Sequence, residues 1–263
     1  MSIESKTYID IVKLWKSWNV ISETDYDLRL DNHKILFAYN SGKIENPSIT
    51  YNDTREVFAN GKVLNFTGDP GTLFDIQNQK LCYEMLKPKL AEKEPLSLAL
   101  VKDTHEAMMG GSYTTRLYVE LGERPGKFKM HDFEVGLEGV GSLPEEVEGQ
   151  MSELINEMET STEEGILTAA AYFHSKFEHI HPFADGNGRV GRVLLNYFLM
   201  INNHPPVIIY EVDKHEYYDA LNKYDTSEDI MPMRRLLEQQ LCKTWEKTLE
   251  RAERRKDKNE VQV

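Results

Sequence analysis

The stretch that most constrains this chain is His181-Pro182-Phe183-Ala184-Asp185-Gly186-Asn187-Gly188-Arg189-Val190-Gly191-Arg192. An amphipathic run with Ile166, Leu167, Ala170, Phe173 and Phe177 on one face leads into it, and the apolar residues Val193 to Leu195 and Tyr197 to Met200 follow. That spacing predicts two buried helices, so the motif must be the bend between them. A glycine-rich bend opening a helix offers unpaired backbone N–H groups and the positive end of a helix dipole, an arrangement that holds phosphate. Gly186 and Gly188 permit positive φ and let an anion approach the main chain. Arg189 and Arg192 supply fork-shaped donors for phosphate oxygens. Asp185 offers a hard oxygen that suits Mg2+. His181, with an ordinary pKa of about 6.5, can take a proton from a hydroxyl near neutral pH. The combination points to chemistry on a nucleotide. His174, His179 and His181 are an alternative metal set, but their spacings of five and two lack the four-residue helical pair such sites use. Phe183 reads as an apolar anchor for the bend.

With 31 basic and 44 acidic residues the chain carries a formal charge of −13. That argues against a nucleic-acid partner, which needs a basic face, and leaves room for a small anion held by local arginines. Cys82 and Cys242 are the only cysteines, so a disulfide framework is not expected and a reducing compartment fits. No apolar run reaches the roughly 20 residues of a membrane span, and the N-terminus lacks a signal-peptide pattern. The expected location is cytoplasmic, with no membrane partner.

The rest of the sequence reads as mostly helical. Helices are expected at Tyr8 to Trp18, from Ser22 or Thr24 to about Ser41, at Thr54 to Ala59, from Gly71 to about Leu86 and from Leu96 to Met109. Gly126 to Gly141 differs: Phe128, Met130, Phe133, Val135 and Leu137 recur every two or three residues among glycines, a hairpin signal. Helical pattern resumes from Pro144 to about Glu159, opens again at Thr162-Glu163-Glu164, and returns from Lys214 to Tyr224 and Ile230 to Leu249. Arg251 to Val263 is charged and nearly free of apolar residues, and reads as a frayed or disordered tail. The expected division is an N-terminal helical lobe over 1–90, a catalytic domain over 91–250 and the tail over 251–263.

HPFADGNGRVGR resembles the Fic family motif HPFx[D/E]GNGRxxR at every specified position. The resemblance implies an all-α Fic-type core, here with a small β-hairpin flap, and transfer of AMP from ATP to Ser, Thr or Tyr hydroxyls of target proteins, itself included. It implies that His181 is the base and Asp185 the Mg2+ ligand, with Mn2+ an alternative metal. Gly186, Asn187 and Gly188 would form the anion hole, the Asn187 side chain assisting, and Arg189 and Arg192 would meet the β- and γ-phosphates. Gly188 stands where kinase-like relatives carry lysine, which favours AMP transfer. Ser41-Gly42-Lys43-Ile44-Glu45-Asn46 is similar to the family's inhibitory pattern [S/T]xxxE[G/N], in the class that carries it N-terminally. It implies that Ser41 and Glu45 form a brake, the glutamate occupying Arg192.

The segment 127–141 corresponds in position to the family's flap, along which a target protein would dock by strand addition. Pro125-Gly126-Lys127-Phe128-Lys129 departs from the arginine usual after this aromatic residue. Tyr217 to Asp225 resembles the adenine-lining segment, with Tyr218 as a stacking face and Asp225, or Asn222 in its stead, accepting from the adenine amino group. Tyrosines packed on a helix face are the plainer reading. Alternative functions are a de-AMPylating hydrolase using Glu45, and a nucleotide-sensing interaction module. The resemblance also suggests a homodimer, which no residue here requires.

Overall fold

The computed structural model describes residues 5–64, 66–133, 140–159, 162 and 165–260. Its helices are α1 (Lys6–Ser17), α2 (Glu23–Glu45), α3 (Tyr51–Asn60), α4 (Pro70–Glu92), α5 (Leu98–Met109), α6 (Pro144–Glu159), α7 (Ile166–Ile180), α8 (Asn187–Ile201), α9 (Lys214–Ser227) and α10 (Met231–Glu260). Short polar residues start several of them. Ser22 caps α2 in a reciprocal box with Asp25, Asp69 precedes Pro70 at α4, and Ser97 accepts the Leu100 N–H at α5. Each satisfies a backbone donor that the first helical turn leaves unpaired.

α7 and α8 lie at the centre. Phe173, Phe177, Val190, Leu194 and Leu199 are fully buried. α7 packs on α8 and α10, and α8 also meets α5, α2 and α4. The N-terminal helix closes the far side, where Trp15 meets Trp245 of α10 edge-on at 5.6 Å. One apolar core runs from Tyr8 through Leu30, Leu86 and Leu100 to Leu241, so residues on both sides of position 90 share it. No helix among the described residues is long and apolar enough to cross a membrane.

Three helices run further than the sequence reading placed them. α2 runs past Gly42 to Glu45. A Cβ at Gly42 would lie 2.7 Å from Ile49 Cδ1 and 2.8 Å from Gln79 Nε2, so this glycine permits close packing on α4, and the helix ends where Asn46, extended before Pro47, leaves the α region. α4 continues through Pro88 to Glu92, its last turn held by the buried Leu90. The segment from Arg251 continues α10 as helix to Glu260.

The expected hairpin is not seen. Residues 134–139, its middle, lie outside the described residues, as do Glu163 and Glu164. The described arm over 127–133 is turn and irregular chain, with only an isolated bridge at Val140 on the other side. The buried carboxylate of Glu123 accepts from the Met130 N–H at 3.0 Å and the His131 N–H at 3.2 Å. Those two donors meet a side chain, where a hairpin would have required a facing strand.

Candidate active site

The bend between α7 and α8 is held from several sides. His181 caps α7 in the left-handed region, φ 51° and ψ 62°, its N–H returning to Phe177 O. That conformation is uncommon for a residue with a Cβ. Phe183 is buried and stacks on the His105 ring at 3.7 Å. The Gly126 N–H donates to His105 Nδ1 at 2.8 Å, so Nε2 carries the proton and donates to Asp185 O at 3.0 Å. Gly186 has φ 85°, and a Cβ there would collide with Met109 Sδ. Asn187 donates to Phe183 O at 2.8 Å and accepts the Phe183 N–H at 2.9 Å. Its side chain thereby fixes the shape of the loop, and Nδ2 keeps a second N–H beyond that bond. No side chain caps the N-terminus of α8, so its first-turn N–H groups face the bend.

His181 lies between two anchors of the segment read as the flap. The Lys129 N–H donates to Pro182 O at 2.9 Å and the Ser142 N–H to Ile180 O at 3.0 Å. Burial, helped by the Lys129 charge, pushes the His181 pKa down to about 4. The imidazole is therefore neutral at pH 7 and free to accept a proton. Burial likewise lowers the Lys129 pKa, against Asp132 and Glu123.

Arg192 is buried and engaged through all three of its nitrogens. Its Nε donates to Ser41 Oγ at 3.0 Å, and its Nη2 donates to Ser41 O at 3.0 Å and to Glu45 Oε1 at 2.7 Å. Nη1 reaches the Tyr217 hydroxyl at 3.5 Å. The last turn of α2 thus sets Ser41 and Glu45 together against this one guanidinium. Glu45 also crowds the start of α8: a Cβ at Gly188 would lie 2.6 Å from Glu45 Oε1 and 3.0 Å from Arg192 Nη1. Burial raises the Glu45 pKa, but the charge and hydrogen bond of Arg192, with Arg189 and His181 adding, outweigh it and hold the carboxyl below its ordinary value.

Asp185 projects a side chain 47% exposed, enough for solvent and a metal to reach it. Its Oδ1 accepts the Gly186 N–H at 2.6 Å and faces Arg189 Nη2 at 3.6 Å. Among the described residues no three His, Cys, Asp or Glu side chains could hold a metal on their own. Magnesium fits such a place, because it takes one or two carboxylates and completes its shell with water and phosphate oxygens. His174 bonds the Tyr217 hydroxyl at 2.9 Å and His179 bonds Asp225 at 2.9 Å, so these histidines do not converge with His181 as ligands.

Of the residues read as adenine contacts, Tyr218 is 45% exposed and leans on the Tyr217 ring at 5.4 Å. It stands at the mouth of the site. Asp225 Oδ1 bonds His179 Nδ1 at 2.9 Å, and Asn222 is exposed. Sequence reasoning missed Asp75, Tyr217 and His105 as parts of this site. Tyr217 stood in the quoted segment with nothing to mark its hydroxyl, and Asp75 and His105 lie in other helices with no local pattern around them.

The pattern of the Fic/DOC family matches residues 95–199. A protein adenylyltransferase Fic from Nematostella vectensis is 43% identical over 101 residues, 37% of this chain and 23% of the relative. The protein of that name from Drosophila persimilis is 29% identical over 231 residues, 83% of this chain and 42% of the relative. The chain therefore spans less than half the length of either. A crystal structure of a Fic domain containing signaling protein from Bacteroides thetaiotaomicron superposes with a TM-score of 0.79 at 23% identity, over 94% of this chain and 97% of that one. It shares the all-helical fold.

Proposed function

We propose that this chain, whose residues 95–199 belong to the Fic/DOC family, is a protein adenylyltransferase held in check by its own α2. ATP lays its triphosphate across the bend, over the first N–H groups of α8 and between Arg189 and Arg192. Asp185, with its exposed carboxylate, is the residue that would hold Mg2+, and a divalent ion there would supply charge neutralisation to the polyphosphate. His181 accepts the proton of a target Ser, Thr or Tyr hydroxyl. The freed oxygen attacks the α-phosphorus, the bond to the β-phosphate bridge breaks, and pyrophosphate leaves. The chain's own contribution is placement and electrostatics, the usual source of phosphoryl-transfer catalysis. The target segment docks beside the stretch anchored at Pro182 and Ile180. The contact that carries this reading is Glu45 Oε1 against Arg192 Nη2 at 2.7 Å. A carboxylate there takes the donor that a terminal phosphate needs and repels the phosphate itself. Nucleotide bound beside it is displaced, and a misplacement of about 1 Å can cost a hundredfold in rate.

The test compares wild type and Glu45→Gly with ATP labelled at the α- or γ-phosphate. Protein-bound α-label that rises sharply in Glu45→Gly supports the reading; γ-label alone makes the chain a kinase. A second reading rests on Glu45 being ionised with its side chain 35% exposed. Such a carboxylate can orient a water for removal of AMP, the reverse reaction.

A further inference from the structure

Arg189 has a partner that its motif does not supply. Its Nη1 donates to Asp75 Oδ1 at 2.9 Å, from a position 114 residues earlier. Asp75 lies on α4, outside the segment matched by the family pattern. The two side chains are 9% and 17% exposed, so this ion pair is largely out of water. The carboxylate has further partners on both oxygens. Ser112 Oγ donates to Asp75 Oδ1 at 3.3 Å and is itself bonded by Asn78 at 3.2 Å. On the other oxygen, Asn46 Nδ2 stands 3.5 Å from Oδ2. A buried pair hydrogen-bonded in this way holds a guanidinium in one orientation. With Nη1 occupied, Arg189 turns Nη2 towards Asp185 and the bend, while its buried Nε has no partner.

Resting on the nucleotide reading above, we propose that Asp75 is a positioning residue for the polyphosphate: it clamps Arg189 so that the remaining donors face the β- and γ-phosphates. Two effects of removing the carboxylate oppose each other. Loss of the clamp frees a long side chain to sample other rotamers and weakens phosphate binding. Loss of a nearby negative charge favours any anion. The clamp requires the first effect to win, and only for ligands that reach Arg189.

The experiment measures binding of AMP and of a non-hydrolysable ATP analogue, with Mg2+, to Glu45→Gly, Glu45→Gly/Asp75→Asn and Glu45→Gly/Asp75→Glu. Expected is roughly tenfold weaker binding of the ATP analogue in the Asn variant, the size of one good charge-assisted contact. AMP binding should be unchanged, and the Glu variant should recover part of the loss. Tighter or unchanged analogue binding in the Asn variant overturns the proposal, as does an equal loss for AMP, which would make Asp75 merely structural. If Glu45→Gly binds AMP and analogue normally and only the Asp75 arms fail, the nucleotide reading survives; if Glu45→Gly binds neither ligand, both fall.

Discussion

His181 illustrates what single residues do here. Its left-handed backbone turns the imidazole out of α7 into the bend, and its pKa of about 4 keeps it unprotonated well below neutrality. Burial is the largest cause of that shift, and Glu45 is among the smaller contributors that raise the pKa, so removing its charge does not by itself restore the ordinary value. AMP transfer by Glu45→Gly should therefore keep its kcat/KM down to about pH 5, where an unperturbed histidine would already be mostly protonated. A pH–rate profile with an acid limb centred near the ordinary histidine value would contradict this. Residues of the bend were legible in the sequence because twelve consecutive positions carry the chemistry. Asp75, Tyr217 and His105 were not, since they reach the bend from three other helices. The loop-holding contacts of Asn187 were not legible, because only the folded loop brings both Phe183 backbone groups to its amide.

Among the elements, the end of α2 matters most, and packing on α4 fixes its place. Gln79 donates to Ala38 O at 2.9 Å, and Gly42 lets α2 approach Ile49 and Gln79 closely. Gly42→Val should push this turn outward and relax the Glu45–Arg192 contact without altering either residue. The expected result is a severalfold rise in AMP transfer over wild type with the global fold retained, measured by label incorporation and circular dichroism. A folded Gly42→Val protein as silent as wild type would show that the turn's position does not set the brake. Helix existence was legible from periodicity, while the ends of α2 and α4 lie several residues beyond the expected ones, at Glu45 and Glu92. Between residues 127 and 133 the alternation misled. Phe128 packs on Phe183 at 5.5 Å, Met130 is exposed, and Glu123 takes the backbone donors.

Across the whole molecule, buried titratable groups tie stability to pH with opposing signs. Burial pushes His33 and His174 down to about 3, and His105 and His204 down to about 4. The unfolded chain binds these protons first, so their stabilisation is complete above the ordinary histidine pKa and is lost as pH falls towards those values. Glu178 runs the other way. Burial raises it to about 8, so its contribution is complete below the ordinary carboxylate range and is lost as pH rises through about 8. His174 Nδ1 and Glu178 Oε1 are 4.0 Å apart, and these opposite shifts leave both neutral in the fold near pH 7. Thermal melts should show Tm falling on acidification below about pH 6.5, and falling also as pH rises from there to about 8, above which Glu178 adds no further slope. Glu178→Gln should remove the slope between about pH 6.5 and 8; an unchanged slope there would contradict the assignment. The central claim, that α2 blocks a competent AMP-transfer site, is tested most directly by intact mass after incubation with ATP and Mg2+. Glu45→Gly should gain the mass of AMP groups that wild type lacks, and Glu45→Gly/His181→Ala should gain none. No added mass in Glu45→Gly, or an equal gain when His181 is also replaced, would contradict it.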